Sequence, residues 1–111
     1  MGRKTLGTLE LAVMLAVVRL GDDAYGLAVR ADVSARLRHD YSVGAVYMTL
    51  HRLEEKGLLR SSLGEPLAVR GGRARRQFSI TAAGQRALVQ TERAATSVWG
   101  EFGATFLPEP T

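Results

Sequence analysis

The sequence predicts a mostly α-helical fold with one small β-hairpin. Three segments with helical periodicity come first, the pattern becomes extended near residue 58, and a last helical segment begins near residue 82. With 111 residues and 46% hydrophobic content, the chain is long enough for one packed core and too short for two ordinary domains. Every function therefore has to be carried by a single module.

The first two predicted helices differ in their apolar pattern. The first spans 9–20, with Thr8 as its N-cap and Gly21 as its left-handed stop. It is apolar nearly all round, so we expect it to be buried both inside its own domain and against something else. The second helix, at 25–37, is amphipathic, and either of the two aspartates that follow Gly21 is expected to cap it.

The third helix has the clearest limits. Ser42 is a natural N-cap, and Gly57 is expected to end the helix. Val46, Leu50 and Leu53 recur at helical spacing and predict its core face. The opposite face holds Gly44, Tyr47, Met48, His51, Arg52 and Glu55.

A hairpin and a last helix follow. The segments 58–63 and 77–81 predict two paired strands. Pro and Gly residues interrupt the segment between them, 64–76, which we expect to form a long and flexible tip. Thr81 is expected to cap a helix over 82–106. Four arginines lie within seven residues of the tip: Arg70, Arg73, Arg75 and Arg76.

This order of elements is that of a winged helix-turn-helix with a C-terminal dimerisation helix. In such a fold the third helix enters the major groove of DNA, and the hairpin tip, or wing, follows the backbone or the minor groove. The net charge of +4 agrees, since 13 of the 15 basic residues are arginine, which suits phosphate and guanine. A high genomic GC content, or a solvated loop, would also explain the arginines taken alone.

The exposed face of the third helix supplies side chains that suit DNA recognition. Arg52 and His51 can donate to base edges or phosphates, and the Tyr47 hydroxyl can donate to a phosphate. Met48 or Thr49 is expected to touch a thymine methyl group. The predicted DNA-binding residues are Ser42, Gly44, Ala45, Tyr47, Met48, Thr49, His51, Arg52, Arg70, Arg73, Arg75 and Arg76.

Two small residues, Gly44 and Ala45, lie at the start of the third helix. They would let the helix N-terminus approach the DNA backbone, where its N–H groups meet a phosphate. Tight packing against the second helix is the alternative explanation for them.

The last helix carries an apolar stripe that is too long for so small a core to hide. We expect an isologous two-fold dimer, with the apolar first helix as a complementary surface. Trp99 is either a packing anchor or, with its copy across the axis, a wall of a slot for a planar aromatic effector. The predicted dimerisation residues are Leu88, Ala95, Val98, Trp99, Phe102 and Phe106.

The residue inventory argues against several classes of protein. Cysteine is absent, His39 and His51 are too few for a metal cluster, and no glycine loop for phosphate is present. We therefore expect no enzyme, no metal and no cofactor. The apolar run 9–18 is about half of what a bilayer requires, and no cleavage site follows it. We expect a cytoplasmic protein that does not associate with membranes.

One known family shows the same motifs. The PadR family of bacterial transcriptional regulators is similar to this chain at 24–26 (AYG), 42–59 (SVGAVYMTLHRLEEKGLL) and 71–84 (GGRARRQFSITAAG). The resemblance covers about residues 6–90. It implies a homodimeric winged helix, usually a repressor, in which Tyr47 and the wing arginines contact DNA. It also implies dimerisation through the C-terminal helix and favours an aromatic or drug-like effector.

Two features depart from the family pattern. Gln77 stands where an aromatic residue is more common, and one short C-terminal helix is present where some members have two or more. We expect a DNA-binding domain at 1–81, a dimerisation helix at 82–107 and a frayed tail at 108–111. A winged helix that binds protein or RNA, and a small-molecule sensor with DNA binding as its output, are the alternative interpretations.

Overall fold

The computed structural model describes residues 5–66 and 74–103, and the predicted order of elements is confirmed within them. Short 3₁₀ turns lie at Gly21–Asp23 and Gly100–Phe102. The longer elements are α1 (Thr8–Leu20), α2 (Gly26–Leu37), α3 (Val43–Glu55), β1 (Leu59–Pro66), β2 (Ala74–Ile80) and α4 (Ala82–Trp99).

The first two helices begin differently from the prediction. The N-cap of α1 is Gly7 and not Thr8, because the Glu10 carboxylate accepts a hydrogen bond from the Gly7 N–H over 3.1 Å. The N-cap of α2 is Tyr25, whose carbonyl accepts from the backbone of the first turn. The two aspartates predicted to cap α2 lie instead in the preceding 3₁₀ turn, Gly21–Asp23.

The limits of α3 agree with the prediction. The Ser42 hydroxyl accepts a hydrogen bond from the Ala45 N–H over 3.1 Å, and Gly57 has the positive φ of +78° that ends the helix. Arg30 of α2 holds the loop before α3, because its Nε donates to the Tyr41 carbonyl over 2.7 Å. The helix α3 is thus fixed to α2 through its preceding loop.

The hairpin is longer than predicted. The strands β1 and β2 pair antiparallel from Leu59 and Ile80 outward, and the register becomes irregular after Leu63. Arg75 and Arg76, which were predicted for the flexible tip, lie in β2 because strand pairing continues past the predicted end. The other two arginines of the predicted tip, Arg70 and Arg73, lie outside the described residues.

The core lies where α1, α2, α3 and the base of the hairpin meet. The predicted core face of α3 is confirmed, since its three apolar residues are fully buried. The first helix is buried along one side only, and Leu15 and Val18 remain exposed. The core consists of Val13, Met14, Ala16, Val17, Ala24, Val29, Val33, Val46, Leu50, Leu53, Leu59 and Phe78.

The last helix begins as predicted and ends earlier. The Thr81 hydroxyl accepts from the Gly84 N–H over 3.0 Å and donates to the Gly57 carbonyl over 2.7 Å. The helix ends at Trp99, where the prediction extended it to 106, because Gly100 adopts a positive φ of +54°. Phe106 lies outside the described residues. Among the described helices, none has the length and apolar character needed to cross a bilayer.

Candidate nucleic-acid interface

The exposed face of α3 carries most of the predicted recognition residues. Tyr47 and Met48 are 41% and 62% exposed, and His51 and Arg52 are exposed as well. Gly44 lies in open space, because a Cβ built on it meets no other atom within 4 Å. The alternative that Gly44 packs tightly against α2 is therefore wrong, and the start of α3 is free for close approach.

Three other predicted recognition residues are engaged within α3. The Ser42 hydroxyl and the Ala45 N–H form the N-cap hydrogen bond. Thr49 is only 4% exposed, and its hydroxyl donates to the Ala45 carbonyl over 2.9 Å. Contrary to the prediction, Thr49 is not available to touch a thymine methyl group, because its position turns toward the core beside Leu50.

Two residues that shape this surface, one exposed and one buried, were not predicted. Val43, the first residue of α3, is 42% exposed at the end of the helix that reaches base edges in helix-turn-helix proteins. Gly26 lies under the Tyr47 ring, and a Cβ at Gly26 would be 2.4 Å from the Tyr47 Oη. The position of Val43 after the N-cap is a signal that could have identified it, whereas the Gly26 contact depends on how α2 and α3 pack.

The base of the wing is connected to both helices. The guanidinium carbon of Arg75 lies 3.9 Å from the centroid of the Tyr25 ring. On the other side, Arg76 Nη1 donates to the Ser61 hydroxyl over 2.9 Å, and that hydroxyl donates to Glu54 Oε2 over 2.6 Å. The arginines of β2 therefore approach α2 and α3 in fixed positions.

Two grooves join α3 to the wing. A groove of about 300 Å³ is lined by Tyr25, Tyr47 and Arg75, among others. A wider one of about 600 Å³ lies between α3 and β2 and includes His51 and Arg76. Tyr47 borders both grooves, so the exposed face of α3 and the described part of β2 form one continuous surface.

The charge of this surface is mixed. His51 Nε2 lies 3.6 Å from Glu55 Oε2 on the exposed face of α3. Lys56, just after α3, is paired with Glu10 of α1 at 3.1 Å. The N–H of Gly7 and the ammonium of Lys56 hold the pKa of the Glu10 carboxyl below its usual value. Arg52 on α3 and Arg75 and Arg76 on β2 are exposed cations of this surface.

A second surface lies between α1 and α4. A mainly apolar groove of about 430 Å³ is lined by Leu11 and Leu15 of α1 and by α4 residues that include Leu88, Ala95 and Trp99. Farther along, Val98 is 86% exposed and Phe102 is 52% exposed. Five of the six predicted dimerisation residues thus lie in or beyond this groove, and Phe106 lies outside the described residues.

Metal chemistry finds no support in the described ranges. Within residues 5–66 and 74–103, no three His, Cys, Asp or Glu side chains come close enough together to hold a metal ion. The chemistry on these two surfaces is that of hydrogen bonding, charge and apolar contact.

Comparison with known proteins agrees with this architecture. The model of the transcriptional regulator PadR-like family matches residues 14–90. The transcriptional regulator Rv3488 of Mycobacterium tuberculosis is 49% identical to this chain over 59 residues, which are 51% of this chain and 51% of that protein. The chain therefore spans about half the length of this curated relative.

Solved structures show the same fold. A PadR-like transcriptional regulator from Bacillus cereus has a TM-score of 0.69 at 20% identity and covers 93% of this chain and 95% of its own. A PadR family transcriptional regulator from Eggerthella lenta has a TM-score of 0.63 at 25% identity and covers 91% and 89%. The similarity to these winged-helix structures thus covers nearly the whole chain.

Proposed function

The chain belongs to the PadR-like family of transcriptional regulators, and we propose that it represses nearby genes by binding a pseudo-palindromic operator as a homodimer. The family consists of DNA-binding regulators and not of enzymes. The observation that carries the proposal is the continuous surface formed by the exposed face of α3 and the arginines of β2. We also propose that it acts in the cytoplasm of a bacterium, since a transcriptional regulator acts where the DNA lies.

On this surface, α3 enters the major groove. Its open first turn at Gly44 approaches the backbone, and Met48 lies where it can touch a thymine methyl group. The Tyr47 hydroxyl donates to a phosphate, while His51 and Arg52 donate to bases or phosphates. These roles are supported by the exposure of all five residues.

The wing contributes charge. Arg75 and Arg76 are exposed on β2 and face the DNA backbone in this proposal. Arg70 and Arg73, which lie outside the described residues, belong to the same basic segment of the sequence, and we propose that they contact the minor groove. Contacts of this kind strengthen binding to any sequence, whereas contacts from α3 discriminate between sequences.

The wing contacts are tested by the salt dependence of DNA binding. Replacing all four wing arginines by alanine should lower the slope of log affinity against log salt by about 0.9 for each lost phosphate contact. The matched control is Arg93→Ala, which removes one exposed arginine from α4. An unchanged slope in the quadruple variant, measured on a random-sequence duplex, would remove the wing from the mechanism.

Repression and the operator are tested in cells. Deleting the gene should raise transcription of its neighbours, and footprinting should protect two half-sites about one DNA turn apart. Lower transcription after deletion would make the protein an activator. A single unrepeated half-site would argue against the two-fold operator.

The α1 and α4 surfaces support the dimer. Residues Leu88, Ala95, Trp99, Val98 and Phe102 lie along one stripe of α4 and its 3₁₀ extension, and α1 adds an apolar border. An isologous interface would remove the exposed parts of these apolar side chains from water in both subunits at once. Light scattering at micromolar concentration in physiological salt should give the mass of a dimer. The mass of a monomer would contradict the proposal.

An aromatic effector is the second candidate function of the same groove. Trp99 is half-exposed beside an apolar space of about 430 Å³, which suits a planar aromatic molecule. Titration with planar aromatics should quench the fluorescence of Trp99, which is the only tryptophan of the chain. If the molecule is an effector, DNA must change its affinity by the factor by which it changes DNA affinity. Quenching without this reciprocal change in affinity would show that the aromatic molecule binds but does not regulate DNA binding.

A further inference from the structure

Tyr25 connects three elements of the DNA-binding half. Its backbone caps α2 and forms an isolated antiparallel bridge with Gln77 of β2. Next to this bridge, the Phe78 N–H donates to the Ala24 carbonyl over 2.9 Å. The two residues before α2 are therefore hydrogen-bonded to β2, which fixes the position of Tyr25 relative to the hairpin.

The Tyr25 ring lies across both strands of the wing. A Cβ built on Gly64 of β1 would be 3.2 Å from the Tyr25 Oη and 3.3 Å from its Cε1, so the ring lies against the β1 backbone. The guanidinium of Arg75 in β2 lies over the ring, with its carbon 3.9 Å from the centroid. A glycine in β1 and an arginine in β2 thus enclose one aromatic side chain.

This contact restricts a side chain that is otherwise exposed. Free arginine side chains have high rotamer entropy, and immobilising one at an interface costs free energy. A cation–π contact limits the guanidinium to the face of the ring before any ligand arrives. Tyr25, Tyr47 and Arg75 line the same groove of about 300 Å³, so Arg75 is held beside the recognition helix.

We infer that Tyr25 is a positioning residue for DNA binding, which orders Arg75 of the wing next to Tyr47 of the recognition helix. The inference rests on the proposed function, in which Arg75 contacts a phosphate. Tyr25 itself need not touch DNA, because it acts through Arg75. Tyr25 is the middle residue of the motif at 24–26 that this chain shares with its family, and positioning Arg75 gives that motif a physical role.

The test is a double-mutant cycle between Tyr25→Leu and Arg75→Ala, measured on a random-sequence DNA duplex. Arg75→Ala should weaken binding and lower the salt slope by about 0.9. Tyr25→Leu should weaken binding about two- to fivefold, the range for an exposed cation–π contact. The salt slope of the Tyr25→Leu variant should be unchanged, because Arg75 still contacts the phosphate. Only the free energy needed to order the Arg75 side chain is higher. In the Arg75→Ala background, Tyr25→Leu should cause no further loss.

Two matched variants define the controls. Tyr25→Phe keeps the ring and should bind as the wild type does. Tyr41→Leu removes another half-buried tyrosine from the same half of the molecule, and any effect of it should be equal with and without Arg75. In the free wild-type protein, the ring current of Tyr25 should also shift the δ protons of Arg75 upfield in NMR spectra.

The outcomes distinguish a failure of the proposed wing contact from a failure of the role inferred for Tyr25. If Arg75→Ala leaves DNA binding unchanged, the wing contact of the proposed function is wrong, and the inference fails with it. If Arg75→Ala weakens binding but Tyr25→Leu is neutral, or equally harmful in both backgrounds, only the inference is wrong. Should Tyr25→Leu fail to fold, absence of the upfield Arg75 shift in the wild type still overturns the inference.

Discussion

The helices α3 and α4 are both amphipathic, but they differ in what covers their apolar faces. In α3 the apolar residues Val46, Leu50 and Leu53 are fully buried in the core. In α4 the apolar residues Val98 and Trp99 are 86% and 51% exposed. The comparison shows that an amphipathic pattern identifies an apolar face and does not identify its partner.

The burial of α4 changes along its length. Its first turns are docked, because Gly84 lies against the Leu58 carbonyl and Thr91 is 8% exposed. The Thr91 hydroxyl accepts a hydrogen bond from the Leu6 N–H over 3.0 Å. Beyond Thr91, no described residue of α4 is buried. One helix thus has a half that completes the domain and a half whose apolar side chains remain exposed.

The largest expected effect is on the buried face of α3. Leu50→Ala removes a fully buried side chain and should lower the free energy of unfolding by about 2–5 kcal/mol. Met48→Ala on the exposed face of the same helix should change it by less than about 0.5 kcal/mol. Urea denaturation at one fixed protein concentration measures both values. Equal losses in the two variants would contradict the assignment of the faces.

The next effect concerns the exposed half of α4. Trp99→Ala should weaken dimerisation by about 2 kcal/mol or more, as expected for a large aromatic side chain in an apolar interface. Sedimentation equilibrium gives the dissociation constant. The control is Ser97→Ala, an exposed neighbour outside the predicted stripe, which should dissociate as the wild type does. If neither substitution changes the dissociation constant, the α4 face is not the dimer interface.

Two glycines, one packed against the domain and one in open space, allow the same substitution to be compared in the two environments. Gly84→Ala places a Cβ 2.2 Å from the Leu58 carbonyl oxygen and should lower the free energy of unfolding by about 1–3 kcal/mol. Gly44→Ala adds a methyl group in open space and should raise it by about 0.5–1 kcal/mol, because alanine favours the helix.

The two glycines should also differ in DNA binding. Gly44→Ala should weaken it despite the higher stability, since the added methyl group stands between α3 and the DNA backbone. Thermal unfolding and fluorescence anisotropy with labelled DNA measure the two properties separately. A Gly44→Ala variant that is more stable and binds DNA normally would show that the start of α3 does not approach the backbone.

The smallest effect is at the end of α3. The Gly7 N–H and Lys56 lower the pKa of Glu10 from its usual value of about 4.5, so the pair stabilises the fold above that pH. This contribution is lost as the pH falls through the lowered pKa of the folded state. Glu10→Gln should cost less than about 1 kcal/mol at neutral pH, because the Lys56 side chain is 47% exposed.

The pH dependence provides the check on this pair. In urea denaturation, the difference between the wild type and Glu10→Gln should shrink as the pH is lowered below about 4.5. Lys56→Met should reduce that difference only in part, since the hydrogen bond from the Gly7 N–H, which is the larger cause of the lowered Glu10 pKa, remains in that variant. A difference that stays constant down to acidic pH would mean that the Glu10 carboxylate does not stabilise the folded state.

The sequence by itself determined the elements that depend on near neighbours. Ser42 and Gly57 limit α3, and the spacing of Val46, Leu50 and Leu53 identifies its core face, because capping and helical periodicity act over a few residues. The helix-helix-helix, hairpin and helix order followed from the same signals. The element order and the arginine-rich tip predicted a DNA-binding role, and the family resemblance agreed with it.

Only the tertiary structure decided the contacts between distant segments. Thr49 lies at the edge of the core face of α3 and is buried, because packing around this helix extends beyond its three apolar residues. Arg75 belongs to β2 because pairing with β1 continues on both sides of it, and its guanidinium lies over the ring of Tyr25, which is fifty residues away in the chain. Trp99 is exposed because docking of α4 on the domain ends at Thr91. Such contacts form when the chain closes on itself, so no local pattern encodes them.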